Sequence, residues 1–208
     1  MMKKLSLLTT FILVGILAQA QDLRFGVKAG FGIHSFALQN LSDGGTRIGL
    51  QIGLLSEIGL ENAGLSERFA LQPEVLFTTR GGKYNANTTE VKERLSYIDI
   101  PVLFKYKPLE AVSLYAGPQL SFLTKGKYKY DRGGDNNTID NRDAFNKVDY
   151  GLVVGTGIGW DNLVIDLRYN LGLGNVLGNR IIQNEILEDV KARNRGVQLS
   201  LGYFFVNR

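Results

Sequence analysis

The sequence predicts an all-β protein, an eight-stranded antiparallel up-and-down transmembrane β-barrel. Eight segments alternate apolar with polar or small residues at a period of two, the spacing at which successive side chains take opposite faces of a strand. The connections between them alternate between long and short. Beyond the first 20 residues no run reaches the roughly 18 consecutive apolar residues of a membrane helix, so a membrane location here requires strands.

The N-terminal "MMKKLSLLTTFILVGILAQAQ" carries Lys3 and Lys4, an apolar run from Leu5 to Leu17, and then Ala18-Gln19-Ala20. That order is the one of a cleaved secretory signal, and the run is short for a membrane span. Residues 1–20 are therefore expected to be removed, leaving residues 21–208 as one barrel domain. No cysteine follows the signal, which argues against a lipoprotein and removes disulfides, thiolate catalysis and Cys-ligated metals together. Without Lys3 and Lys4 the chain has 22 basic and 20 acidic residues, and the basic ones are scattered, so no nucleic-acid footprint is present. Glycine is abundant at 25 residues and proline scarce at four, alongside 20 Phe and Tyr, a mix suited to strands and turns.

The first segment, Leu23 to Phe36, sets Phe25, Val27, Ala29, Phe31 and Ile33 against Arg24, Gly26, Lys28, Gly30, Gly32 and His34. In the second, Thr46 to Leu60, Ile48, Leu50, Ile52 and Leu54 oppose Arg47, Gly49, Gln51 and Gly53. The third, about Arg68 to Arg80, places Phe69, Leu71, Pro73, Val75 and Phe77 against Ala70, Gln72, Glu74, Leu76 and Thr78. In the fourth, "LSYIDIPVLFKYKP" from Leu95, Ile98, Ile100, Val102, Phe104 and Tyr106 alternate with Tyr97, Asp99, Pro101, Leu103 and Lys105. The fifth runs from Val112 to about Lys127, the sixth from Lys147 to Trp160, the seventh from Leu163 to Leu173 and the eighth from Arg195 to Val206.

Segments one and two, three and four, five and six, and seven and eight are joined by about nine, fourteen, twenty and twenty residues. The intervening connections are short: "ENAGLSE", "KPLEA" and "WDN". Outer-membrane barrels have this asymmetry, with short periplasmic turns and longer outer loops. The long loops are polar, and "NEILEDVKAR" from Asn184 has the pattern of a short capped helix.

A soluble barrel of eight strands would bury the apolar set, whereas a membrane barrel turns it to lipid. The other set decides between them. It is rich in Gly and Gln with few charges per strand, which suits a narrow interior better than a surface in water. Aromatics near strand ends, among them Phe25, Phe77, Tyr106, Tyr150, Trp160, Tyr169, Tyr203 and Phe205, suit girdles at the lipid–water boundary.

"YIDIPVLFKYKP", "LYAGPQLSFL", "DYGLVVGTGIGW", "DLRYNLGLGNV" and "NRGVQLSLGYFF" resemble blocks of the small outer-membrane β-barrel family common in Bacteroidetes, the PorT-like or outer membrane protein beta-barrel family. The matching blocks span about residues 95–206 and identify no activity. The resemblance implies residence in the outer membrane of a Gram-negative cell, and the family's eponymous member is linked to protein secretion. Such barrels commonly end on an aromatic residue read by the assembly machinery, whereas here Val206-Asn207-Arg208 follow Phe205.

Chemistry is sparse. His34, the lone histidine, is expected as a solvated strand-end residue, and one His without Cys supports neither a triad nor a transition-metal cluster. Gly155, Gly157 and Gly159 alternate on one strand face instead of opening a helix, so they read as lumen space and not as a phosphate loop. Asp135, Asp140 and Asp143, with Asn136, Asn137 and Asn141, lack EF-hand spacing, and the acidic loop 131–143 reads as solvated. The remaining candidates are Glu74, Asp99, Lys105, Asp166 and Arg168, expected as a structural ion-pair network filling the lumen. No catalytic residue, metal or cofactor is expected.

The expected function is that of a non-enzymatic outer-membrane barrel acting through extracellular loops or rim, as an envelope component or a partner in a secretion or surface complex. A narrow channel for small solutes and a soluble periplasmic ligand-binding barrel are the alternatives. The expected partners are outer-membrane lipid, the barrel assembly machinery during insertion, and an envelope or secretion protein that the sequence does not name.

Overall fold

The computed structural model describes residues 23–38, 45–86, 89–132, 135–140, 145–176, 181–182, 185–186 and 192–205. The signal expected at residues 1–20 lies outside them. Eight strands form the wall: β1 (Leu23–Leu38), β2 (Arg47–Gly59), β3 (Phe69–Arg80), β4 (Thr89–Leu109), β5 (Val112–Arg132), β6 (Val148–Trp160), β7 (Leu163–Gly172) and β8 (Ala192–Phe204). Each pairs antiparallel with its neighbours in sequence, and β8 pairs with β1, so the sheet closes without an edge.

The register sets the barrel's shape. Leu23 faces Ile58, which leads through Leu71, Phe104, Ala116, Val154, Tyr169 and Val197 to Ile33, ten residues further along β1. A stagger of ten over eight strands, with about 3.3 Å per residue and about 4.8 Å between strands, tilts the strands by about 40°. From Val148 to Trp160, β6 then covers about 40 Å of strand and about 30 Å of height, the thickness of a bilayer's hydrocarbon core.

The faces are inverted relative to a soluble protein. Ile48 and Leu50 are 68% and 67% exposed, while Glu74 and Asp99 are 2% and 1% exposed. Phe31, Leu54, Phe104, Leu114, Val154, Ile158 and Leu201 are exposed with them, and the inward positions hold the glycines and polar groups. A soluble ligand-binding barrel needs the opposite arrangement.

The turns follow local rules. Between β6 and β7, Asp161 takes a left-handed φ of 53°, the positive-φ position of a two-residue hairpin loop, which Asp and Asn accept more readily than most residues. Between β2 and β3 a single 3-10 turn, Glu61–Ala63, is closed by Gly64 at φ 80°, whose N–H donates to the Glu61 carbonyl at 2.9 Å. These turns and that of Glu110 and Ala111 share one end of the barrel with Leu23 and Phe204.

Three expectations about the other end are corrected. The connection after β3 is strand in large part: Lys83–Ala86 pairs with the start of β4, which begins at Thr89 and not at Leu95. Likewise β5 runs on to Arg132 and pairs with Asp135–Asp140. These extensions are mostly polar, with Val91 and Ile139 as isolated aliphatics, so an apolar alternation misses them although Tyr and Thr favour strands. The helix expected from Asn184 is replaced at Glu185–Ile186 by a strand paired with Ile181–Ile182. Residues 184 and 187–191 lie outside the described ones.

A closed polar lumen as the candidate site

Three tiers of charge fill the interior, each assembled from inward positions of different strands. The central tier joins Lys28 of β1, Glu74 of β3, and Asp166 and Arg168 of β7. The Arg168 guanidinium donates to both oxygens of Glu74, at 2.9 and 3.0 Å, and through Nε to Asp166 at 3.1 Å. Lys28 Nζ donates to Glu74 at 2.9 Å and lies 3.4 Å from Asp166. Tyr115 and Ser200 donate to Asp166 at 2.5 and 3.1 Å, and Gln72 donates to Glu74 at 2.6 Å. Two cations thus meet two anions, with every carboxylate oxygen occupied, as burial of charge requires. Leu103, Tyr115 and Val153 form a small apolar cluster inside the same interior.

Gln72 links this tier to the next, accepting from Lys105 at 2.8 Å. Toward the short turns, Lys105 and Lys107 donate to Glu57 at 2.8 and 2.6 Å, and Arg24 approaches it at 3.6 Å while lying over the Phe204 ring at 4.2 Å. Three cations thus surround one carboxylate, with Glu110 and Asp161 also at this mouth. They line an internal cavity of about 100 Å³ that shares Arg24, Lys107, Glu110 and Asp161 with a cleft of about 740 Å³ between the turns, where Glu67 and Arg68 are added.

Toward the longer connections, Arg80 pairs with Asp99, which also accepts from Thr78 at 2.7 Å, and the Arg80 guanidinium lies 5.0 Å from the Tyr97 ring centre. Asn194 donates to Asp149 at 2.9 Å. The cavity at this level is only about 10 Å³, room for about one water. The paired charges of the central tier separate it from the cavity at the other mouth.

The structure thus spreads the five sequence-derived lumen residues over all three tiers. Glu74, Asp166 and Arg168 meet in the centre, Lys105 belongs to the tier near the turns, and Asp99 to the other. Lys28, which the sequence sets on the polar face of the first segment without singling it out, and Glu57 and Arg80 complete the pairs. Only strand register shows that Lys28 and Glu74, 46 residues apart, are within reach.

His34 is corrected: it is buried at 2% exposure and turned inward, with Gln198 at 3.4 Å. The glycines around it explain why. A Cβ at Gly196 would overlap the imidazole, and one at Gly32 or Gly49 would come within 3.1 Å of it. Gly155 likewise gives way to Tyr115, since a Cβ there would overlap the phenol oxygen and lie 2.7 Å from the Leu167 carbonyl. Gly155→Ala is expected to cost about 1–3 kcal/mol in urea unfolding, and clearly less in a Tyr115→Ala background, where the ring is gone. Asp143 and Asn141 lie outside the described residues, as do the side chains of Asp135 and Asp140. Among the described residues no three His, Asp or Glu side chains converge as a metal site.

An edgeless sheet, an apolar exterior about one bilayer thick and a charge-paired interior define a small membrane-spanning β-barrel. Residues 18–178 match the outer membrane protein beta-barrel domain family, and the chain belongs to that family. No curated protein matches the chain. Among solved structures it is similar to Neisserial surface protein A (NspA), at 16% identity over 86% of this chain and 96% of that one, with a TM-score of 0.51. It is similar to Ail, the attachment invasion locus protein of Yersinia pestis, crystallised with the heparin analogue sucrose octasulfate, at 14% identity, 89% and 100% coverage and a TM-score of 0.51. A major outer membrane protein of Thermus thermophilus is similar at 17% identity, 89% and 100% coverage and a TM-score of 0.50. These likenesses concern the fold.

Proposed function

We propose that this protein is a non-enzymatic outer-membrane barrel whose lumen is sealed by its own side chains and which acts through its longer loops or rim. The central Lys28–Glu74–Asp166–Arg168 tier carries the reading: its charges neutralise one another instead of lining an open path. The longer loops face outward from the cell, the short turns face the periplasm, and the N-terminal segment directs export and is cleaved. Its role is that of an envelope component or a partner in a secretion or surface complex, in keeping with the PorT-like blocks at residues 95–206. The barrel assembly machinery inserts it.

Planar-bilayer recording tests the sealed lumen. Purified protein is expected to give no stable conductance steps, and reproducible steps would establish instead the narrow solute channel. Dependence on detergent tests the membrane placement, since a chain that stays monomeric in plain buffer is not a membrane barrel. A pull-down from native envelopes with the tagged protein identifies the partner, and recovery of assembly factors alone would count against a secretion complex.

A further inference from the structure

We propose that the extended β4–β5 hairpin carries a binding surface for phosphate-bearing lipid headgroups of the leaflet at the long-loop end. The inference rests on the membrane placement proposed above. Beyond the barrel rim the register places like charges opposite one another: Arg94 faces Lys127, Lys92 faces Lys129, and Lys83 faces Lys92 on the adjoining short strand. Lys125, opposite Ser96, adds a further cation, and the charge of Arg94 also bears on Arg47 at the start of β2. Arg94, Lys125 and Lys127 are exposed. Directly opposed like charges oppose strand pairing, and of the three exposed cations Lys127 has an acid opposite it in register, Asp140, whereas Arg94 and Lys125 face Lys127 and Ser96, where an external anion relieves the opposition.

Glu93, between Lys92 and Arg94, takes the alternate strand position opposite Tyr128, off the face of Arg94. Asp140 faces Lys127 from the far side, and the acidic pair Glu90 with Asp131 stands at the hairpin's tip. The cations occupy the stretch nearest the membrane. Phe122, facing Ile98 and Val148, belongs to the lipid-facing belt, and Lys125 follows it three residues later. At about 3.3 Å per residue and a tilt of about 40° that is about 8 Å of height, the depth at which headgroups replace hydrocarbon. A soluble polyanion has no requirement for a patch flush with the lipid belt, whereas a headgroup does.

The test uses the full mature chain folded in detergent, with native mass spectrometry counting retained lipid. Lipid A is compared with its dephosphorylated form, and heparin serves as the soluble polyanion. Wild-type protein is expected to retain lipid A at least about tenfold better than the dephosphorylated form. Arg94→Gln/Lys125→Gln/Lys127→Gln should lose most of that preference, and Arg68→Gln at the opposite end should keep it. Heat-modifiable electrophoretic mobility verifies that each variant is folded. Equal retention of the two lipids, or an unchanged preference in the triple variant, overturns the proposal. Heparin binding without a lipid A preference reassigns the surface to a soluble polyanion and also overturns it. The bilayer recording is independent of these outcomes, so failure of the sealed-lumen reading is told apart from failure of this one.

Discussion

Glu74→Gln is expected to destabilise the folded barrel by about 3–5 kcal/mol, measured by urea unfolding in lipid vesicles. The carboxylate accepts from Arg168, Lys28 and Gln72 at once. Its neutral amide leaves two buried cations with Asp166 as their only anion, and puts an NH2 donor where one carboxylate oxygen accepted. Removing one member of a buried ion pair is costly because the survivor stays buried and uncompensated. Arg168→Met should therefore cost a similar amount, by stranding Glu74 and Asp166 on Lys28 alone. The double variant Glu74→Gln/Arg168→Met leaves the Lys28–Asp166 pair, 3.4 Å apart, and should cost clearly less than the two single effects together. Strict additivity would mean that the central tier is not a coupled unit.

Ile100→Arg is expected to cost about 2–4 kcal/mol and to impair assembly, because Ile100 sits mid-strand on the lipid-facing side, where a charge meets hydrocarbon. Lys105→Ala, on the same strand but facing inward, should leave insertion intact. The geometry makes its effect milder still: Glu57 keeps Lys107 and Arg24 when Lys105 is lost. Lys105→Glu should hurt more than Lys105→Ala by placing a second carboxylate beside Glu57. Equal membrane-insertion yields for Ile100→Arg and Lys105→Glu would reverse the assignment of faces.

The sequence shows its limits at particular residues. Alternation through Ile98, Ile100, Val102, Phe104 and Tyr106 was enough to assign β4's outer face, because lipid demands apolar side chains at every second position. The same alternation fails before Leu95, because Thr89–Arg94 reads Thr-Glu-Val-Lys-Glu-Arg and carries no apolar face for a period of two to show. His34 was misjudged for a related reason. A strand-end histidine is ordinarily solvated, and the space for its ring is made by Gly32, Gly49 and Gly196 on three strands. Gly196 lies more than 160 residues away in sequence and only register brings it opposite.

By itself, then, the sequence determined that the chain is a closed barrel of eight strands, with its hydrophobic side outward and its charges inward. That information is local, because a period of two and the lengths of the connections are written in consecutive residues. Which charge neutralises which was decided by the tertiary structure. The stagger of ten residues round the barrel brings Lys28, Glu74, Asp166 and Arg168 to one level and leaves Asp99 and Lys105 at others. Ion pairing depends on distance in space, and in a tilted barrel that distance is a property of the whole ring of strands.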